Sequence, residues 1–172
     1  MKTKKETGDY INLLEKIEKV LPSLLDKPEL WKSLFVNYEH PYVERLWTEF
    51  EDFRISLHAI HPCTREEVLY HPHPWPSGMK ILKGRYEMGV GYGKGEEYPS
   101  IACTIVLNEG DEYEMIDPDG WHYVRPLENL TYTLMVTGKP WDRFSPKSDY
   151  KLSSLNENRK KELIELFKSF CK

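Results

Sequence analysis

The sequence predicts a mainly β chain, a barrel or sandwich of short strands with helices at both ends, on three observations. Short apolar or alternating runs recur from Phe53 to Thr137, each closed by a polar turn. Aromatic residues make up 13% of the chain, and aromatics favour strands. Only the first and last stretches carry the three- and four-residue apolar spacing of amphipathic helices.

From Asp9 to Leu25, Ile11, Leu14, Ile17, Leu21 and Leu24 form a helical stripe that Pro22 interrupts near its end. Lys27-Pro28-Glu29 opens a second helix over Leu30, Trp31, Leu34 and Phe35, so that N-terminal helices fill 9–35 and Asn37 to Pro41 ends them. Phe53 to His61 alternates, with Ile55, Leu57 and Ala59 on one face and Arg54, Ser56 and His58 on the other. Further strands are expected at 79–82, 86–92, 100–107, 113–116, 121–124 and 132–137, separated by turns such as Lys83-Gly84 and Pro118-Asp119-Gly120. Ser153-Ser154 caps a closing amphipathic helix over 154–171. The length of 172 residues, with no repeat or linker, fits a single domain, 1–172.

Composition excludes several functions. Lys plus Arg total 24 against 28 acids, a net charge of −4, so no general attraction to nucleic acid is expected. No apolar run is long enough to span a membrane, and Met1 to Glu6 leads into no hydrophobic signal, so a cytoplasmic protein is expected. Cys63, Cys103 and Cys171 are widely spaced and form neither a disulfide framework nor a zinc knuckle. No GxSxG occurs, and Cys103 lies in the apolar run 101–107, where burial would make it inert.

Three signals carry chemistry. His71-Pro72-His73 places two imidazoles on one face of an extended segment, which Pro72 and Pro74 hold extended at a sheet edge or mouth. His122 follows the tight turn Asp117-Pro118-Asp119-Gly120 at the start of a strand. His58, His61 and Cys63 could join His71 and His73 at zinc, but a strand puts His58 and His61 on opposite faces, which favours a structural role. The series Gly89, Gly91, Gly93, Gly95 misses the phosphate-cradling GxGxxG and reads as a flexible hairpin loop.

His71 to Gly89, HPHPWPSGMKILKGRYEMG, resembles the first motif of the cupins, with Gly84 in the hairpin turn, and Asp117 to Pro140 resembles the second, one residue short of PxGxxH at His122. Together they span about half of the chain. Within the cupins, the order His71-x-His73, Gly84, Tyr86-Glu87, His122, Thr133-Leu134-Met135 looks most like the small thiol dioxygenases, such as cysteine dioxygenase. The resemblance implies a single cupin-type β-barrel, a jelly roll, over 47–143. It also implies one divalent metal on His71, His73 and His122, Fe(II) first, with Zn, Mn or Ni as alternatives. The carboxylate ligand of many cupins is missing, since Pro74 to Gly78 contains no acid. Three imidazoles leave open coordination positions on a first-row metal. The family's Ser-His-Tyr set is not reproduced, because Met135 and Thr137 follow Thr133.

The implied function is O₂-dependent oxidation of a small metal-chelating substrate such as a thiol or carboxylate. Arg54 is the candidate for gripping its anionic group, and either Tyr86 or Glu87 faces the site to hydrogen-bond or transfer a proton. Surface placement of Arg54 stays open, as does packing rather than pocket-lining for Trp75 and Trp121. A metal-dependent sugar isomerase or epimerase and a non-enzymatic binding barrel are the competing readings. An exposed barrel edge would suit a homodimer.

Overall fold

A computed structural model describes residues 9–94, 97–142 and 151–171. Helix α1 runs Tyr10–Leu25, capped by the Asp9 side chain, which accepts from the Asn12 N–H. Pro22 does not end it, because the lost hydrogen bond falls in the last turn, which the Asp26 N–H closes onto the Pro22 carbonyl.

The second predicted helix is absent. A 3₁₀ turn, Pro28–Leu30, leads into strand β1, Lys32–Val36, which pairs antiparallel with β2, Val43–Phe50. Strand β3, Phe53–Ile60, follows, then the two-residue β4, His71–Pro72. The hairpin of β5, Ser77–Lys83, and β6, Arg85–Tyr92, turns at Gly84, whose φ of 85° only glycine adopts readily. The remaining strands are β7, Ile101–Asn108; β8, Glu112–Met115; β9, Gly120–Pro126; and β10, Thr131–Thr137. Helix α2 spans Glu157–Phe170, with Asn156, not the serine pair, as its N-cap.

The strands form two antiparallel sheets, ordered β1-β2-β3-β10-β5-β8 and β4-β9-β6-β7. The architecture is mainly β and of cupin-type sandwich form, with one helix before the strands and one after them in the chain. Strand pairing begins at Lys32, ahead of the expected start at 47, and the expected end at 143 lies outside the described residues.

Two cores explain the layering. Leu46, Ile55, Leu57, Leu134 and Val136 pack with Leu14 and Ile17 of α1 and with Leu163 and Phe167 of α2, so the helices cover one face of the six-stranded sheet. Ile60 and Ile81 meet Tyr86, Met88 and Leu107 of the other sheet between the layers. Alternation along β3 therefore sends Leu57 and Ala59 to the helices and Ser56 and His58 inward.

Two expectations fail. Gly89 and Gly91 belong to β6, not to a loop: a Cβ at Gly89 would sit 2.0 Å from Tyr123 Cε1, and one at Gly91 would sit 2.0 Å from the Tyr70 hydroxyl, so aromatic rings lie against the bare backbone. Gly95 lies outside the described residues. Cys103 is exposed, because β7 is the edge of its sheet and residues 101–106 of its apolar run are exposed, Leu107 alone of that run being buried. No helix among the described residues is long and apolar enough to cross a membrane.

Candidate metal centre

Strands β4 and β9 pair so that His71 stands directly opposite His122, with Pro72 opposite Trp121. His73 lies one residue beyond β4, its N–H bonded to the Gly120 carbonyl at 3.1 Å. Pro72 and Pro74 fix the backbone on both sides of it. Both predicted motifs thus bring their histidines to one mouth of the sandwich.

The ring centroids of His71 and His122 are 4.7 Å apart, and those of His73 and His122 are 4.9 Å apart. An imidazole bound through one nitrogen at about 2.1 Å holds its centroid about 3.2 Å from the ion, so two such rings at 90–110° lie about 4.5–5.3 Å apart. The spacing fits a shared ion. Among the described residues no group of three or more histidine, cysteine, aspartate or glutamate side chains is set to hold a metal ion as it stands.

The hydrogen bonds favour ligation. His71 Nδ1 is 3.1 Å from the Leu69 carbonyl, and His73 Nδ1 is 2.7 Å from the Trp75 carbonyl. Each carbonyl draws the ring proton to Nδ1 and makes Nε2 the lone-pair nitrogen, as the outer hydrogen bond of a metal-binding histidine does. Buried His122 Nδ1 has no hydrogen-bond partner among the described residues. Burial lowers the pKa of His71 against the raising effect of the Leu69 carbonyl, and burial followed by the charges of His71 and His73 lowers that of His122 well below the usual value. Both rings are neutral at physiological pH, as metal ligands must be.

The histidines line a cavity of about 260 Å³ that also meets Arg45, His58 and Tyr86. Arg45, His58 and Thr133 are register partners on the adjacent strands β2, β3 and β10. Arg45 Nε donates to His58 Nε2 at 3.0 Å, which leaves the proton on His58 Nδ1 to reach Thr133 Oγ1 at 3.2 Å. Burial, then the charge of Arg45, pushes the His58 pKa well below normal. A neutral imidazole therefore positions a half-buried guanidinium that no carboxylate pairs with among the described residues.

Of the other expected site residues, Tyr86 faces this cavity and Glu87 does not. The Tyr86 hydroxyl is 2.7 Å from that of Tyr113, and burial raises both phenols, Tyr86 well above its usual value. Glu87 points to the opposite face of β6, where Tyr123 donates to it at 2.9 Å and Arg125 at 3.4 Å. Burial works to raise its pKa, and these hydrogen bonds outweigh it and hold the carboxyl below the usual range. Arg54 is exposed, stacked 4.5 Å from the Trp47 ring centroid, and is not among the cavity residues. Trp75 lines the cavity with its buried indole N–H unpartnered among the described residues, whereas Trp121 donates to the Gly93 carbonyl at 3.0 Å and packs near Tyr70 and Tyr98. His61 lies 3.5 Å from Glu44, away from His58.

No protein-family model matches the chain, and neither does a curated protein. Solved structures do resemble it. One is Fe(II)-HppE with the alternative substrate (S)-1-HPP, at 12% identity and a TM-score of 0.50, the match covering 64% of this chain and 57% of that one. Another is Fe(II) HppE at 10% identity, with the same TM-score and coverage. A third is hydroxypropylphosphonic acid epoxidase from S. wedmorenis, at 13% identity and a TM-score of 0.50, covering 64% of this chain and 56% of that one. The chain spans a little over half the length of these structures, and at such identities the likeness is one of fold.

Proposed function

We propose that this protein is a mononuclear metal-dependent cupin of the oxygenase type, holding one divalent ion, Fe(II) first, on His71, His73 and His122, and acting on a small anionic substrate that chelates it. The observation that carries this reading is the convergence of three imidazoles in one cavity, His71 and His122 neutral, and His71 and His73 with Nδ1 tied to a backbone carbonyl. The likeness to structures described as Fe(II) forms supports it at the level of fold.

A redox-active ion, were it held on His71, His73 and His122, would supply the oxidative chemistry of such an enzyme. The chain's own groups do the rest. Arg45, oriented through Nε by His58, presents a cation to the substrate's carboxylate or similar group. The raised pKa of Tyr86 keeps its phenol protonated, a hydrogen-bond partner rather than a base. The Trp75 N–H, unpartnered among the described residues, is a further donor for a bound acceptor. Met79, Met135 and Val124 supply an apolar wall that limits water. The chelating group of that substrate is a thiol or a second carboxylate.

The test is elemental analysis of protein purified without chelators, beside the His71→Ala/His73→Ala variant, with O₂ uptake measured on small thiols and chelating acids. About one iron per chain, lost in the variant, with substrate-dependent O₂ uptake is the expected result. Zinc without O₂ uptake would move the assignment to an isomerase-type cupin, and equal metal content in both proteins would overturn the three-histidine site.

A further inference from the structure

A second cavity, of about 490 Å³, is lined by residues of β1, β2 and β3 together with Ser154 and the first turn of α2. Its charged lining is Lys32, Arg45, Arg54 and Lys160 against Glu157 alone, a net formal charge of +3 on a chain whose total is −4. The local ion pairs go elsewhere: Arg159 is taken by Glu44 and Glu162.

Three of these cations are held in place, and none of the four forms an ion pair with a carboxylate among the described residues, although Glu49 stands opposite Arg54 across the β2–β3 ladder. Lys32 Nζ lies 4.4 Å and Arg54 Cζ 4.5 Å from the centroid of the Trp47 ring. An aromatic face orients a cation through its quadrupole and contributes no counter-charge. Arg45 is positioned by a neutral imidazole. Like charges gathered this way cost stability unless an anion joins them, and a concave wall of one sign concentrates anions from solution. Ser33 and Ser154 add hydroxyls to the lining.

We infer that this groove is an anion-binding site beside the histidine cavity, sharing Arg45 with it and set apart by Lys32, Arg54 and Lys160, with a small organic molecule bearing at least two oxyanion charges, of phosphate or polycarboxylate type, as its ligand. The volume exceeds what one phosphate needs and lies within the range of small-molecule sites. The concavity and the negative net charge favour such a ligand over nucleic acid. Leu34 and Arg45 line both cavities, so the occupied groove shares a wall with the histidine site.

The test uses EDTA-treated full-length chain, so that neither probe can bind through a metal. Pyrophosphate and citrate are titrated by calorimetry at about 50 and 200 mM salt, and the Trp47 indole N–H resonance is followed in parallel. The expected result is one saturable site that weakens with salt, shifts the Trp47 resonance, and loses at least tenfold in affinity in both Arg54→Gln and Lys160→Gln. Tighter binding of pyrophosphate assigns a phosphate ligand, and tighter binding of citrate a polycarboxylate. Binding must persist in His71→Ala/His73→Ala. Its loss there with retention in the groove variants would place the anion at the histidines, and absence of saturable binding would overturn the site outright. The proposed oxygenase function can fail without affecting this result.

Discussion

His71 and His122 are direct partners across the β4–β9 ladder, with ring centroids 4.7 Å apart although 51 positions separate them in the chain. Because the register fixes their spacing, the backbone sets two of the three histidines side by side before any ligand arrives. Replacing His122 by Ala should therefore weaken binding of Co(II) or Fe(II) by about 100-fold or more, since an inner ligand counts for at least as much as the outer partners of such sites. Metal added to the native chain should raise its melting temperature, and the same addition to the variant should not.

Arg45 is the next group to test. Arg45→Gln removes the cavity's cation, and the expected outcome is a rise in KM of about tenfold or more for anionic substrates, with little change for a neutral analogue. His58→Phe removes the acceptor that holds Arg45 Nε. It should reproduce part of that KM effect although His58 need not touch the substrate. Equal KM values for native and Arg45→Gln protein would exclude Arg45 from substrate binding.

The histidines could be read from the sequence, and Arg45 could not, for a physical reason. HxH between prolines and a histidine after a tight turn are local signals, and local geometry decides where they point. Strand β2 gives no such signal, because both of its faces mix charge with apolar residues. Glu44 shares the helix-covered face with Leu46, and Arg45 shares the other with Val43 and Trp47. What neutralises or positions these charges comes from afar: Arg159, 115 residues on, for Glu44, and His58 for Arg45. Phe35 is a similar case. Its spacing from Trp31 and Leu34 suits a helix, yet its N–H pairs with the Ser153 carbonyl at 2.8 Å and its strand with β2, and these distant partners override local periodicity. The Tyr86 and Glu87 choice needed only the register of β6, which turn chemistry alone does not supply.

The Glu44 to Arg159 contact, two hydrogen bonds of 2.8 and 2.7 Å, fastens α2 to the sheet. The bond from Arg159 lowers the Glu44 pKa, burial opposes it, and the charges of Arg159 and His61 add to the lowering. A carboxyl whose folded pKa is depressed gives stability that is complete above its unfolded value, near pH 4.5, and is lost as pH falls through the folded value. Glu44→Gln should cost about 1–3 kcal/mol at pH 7 by urea denaturation, and should flatten the decline in stability below pH 4.5. An unchanged acid limb would show that other carboxylates set it.

The paired phenols of Tyr86 and Tyr113 offer a cleaner measurement, because each hydroxyl is the other's partner at 2.7 Å between the sheets. Removing one leaves a buried polar atom that has lost its bond, and removing both leaves none. Tyr86→Phe and Tyr113→Phe should each destabilise the fold by about 1–2 kcal/mol, and the double variant should lose no more than the worse single one. Activity would divide the pair differently. Tyr86 lines the histidine cavity and Tyr113 is not among its lining residues, so Tyr86→Phe should alter kcat or KM directly. Tyr113→Phe acts only through the orientation of the Tyr86 hydroxyl, and its kinetic effect should vanish in the Tyr86→Phe background. A full effect of Tyr113→Phe in that background would mean that the two hydroxyls act independently.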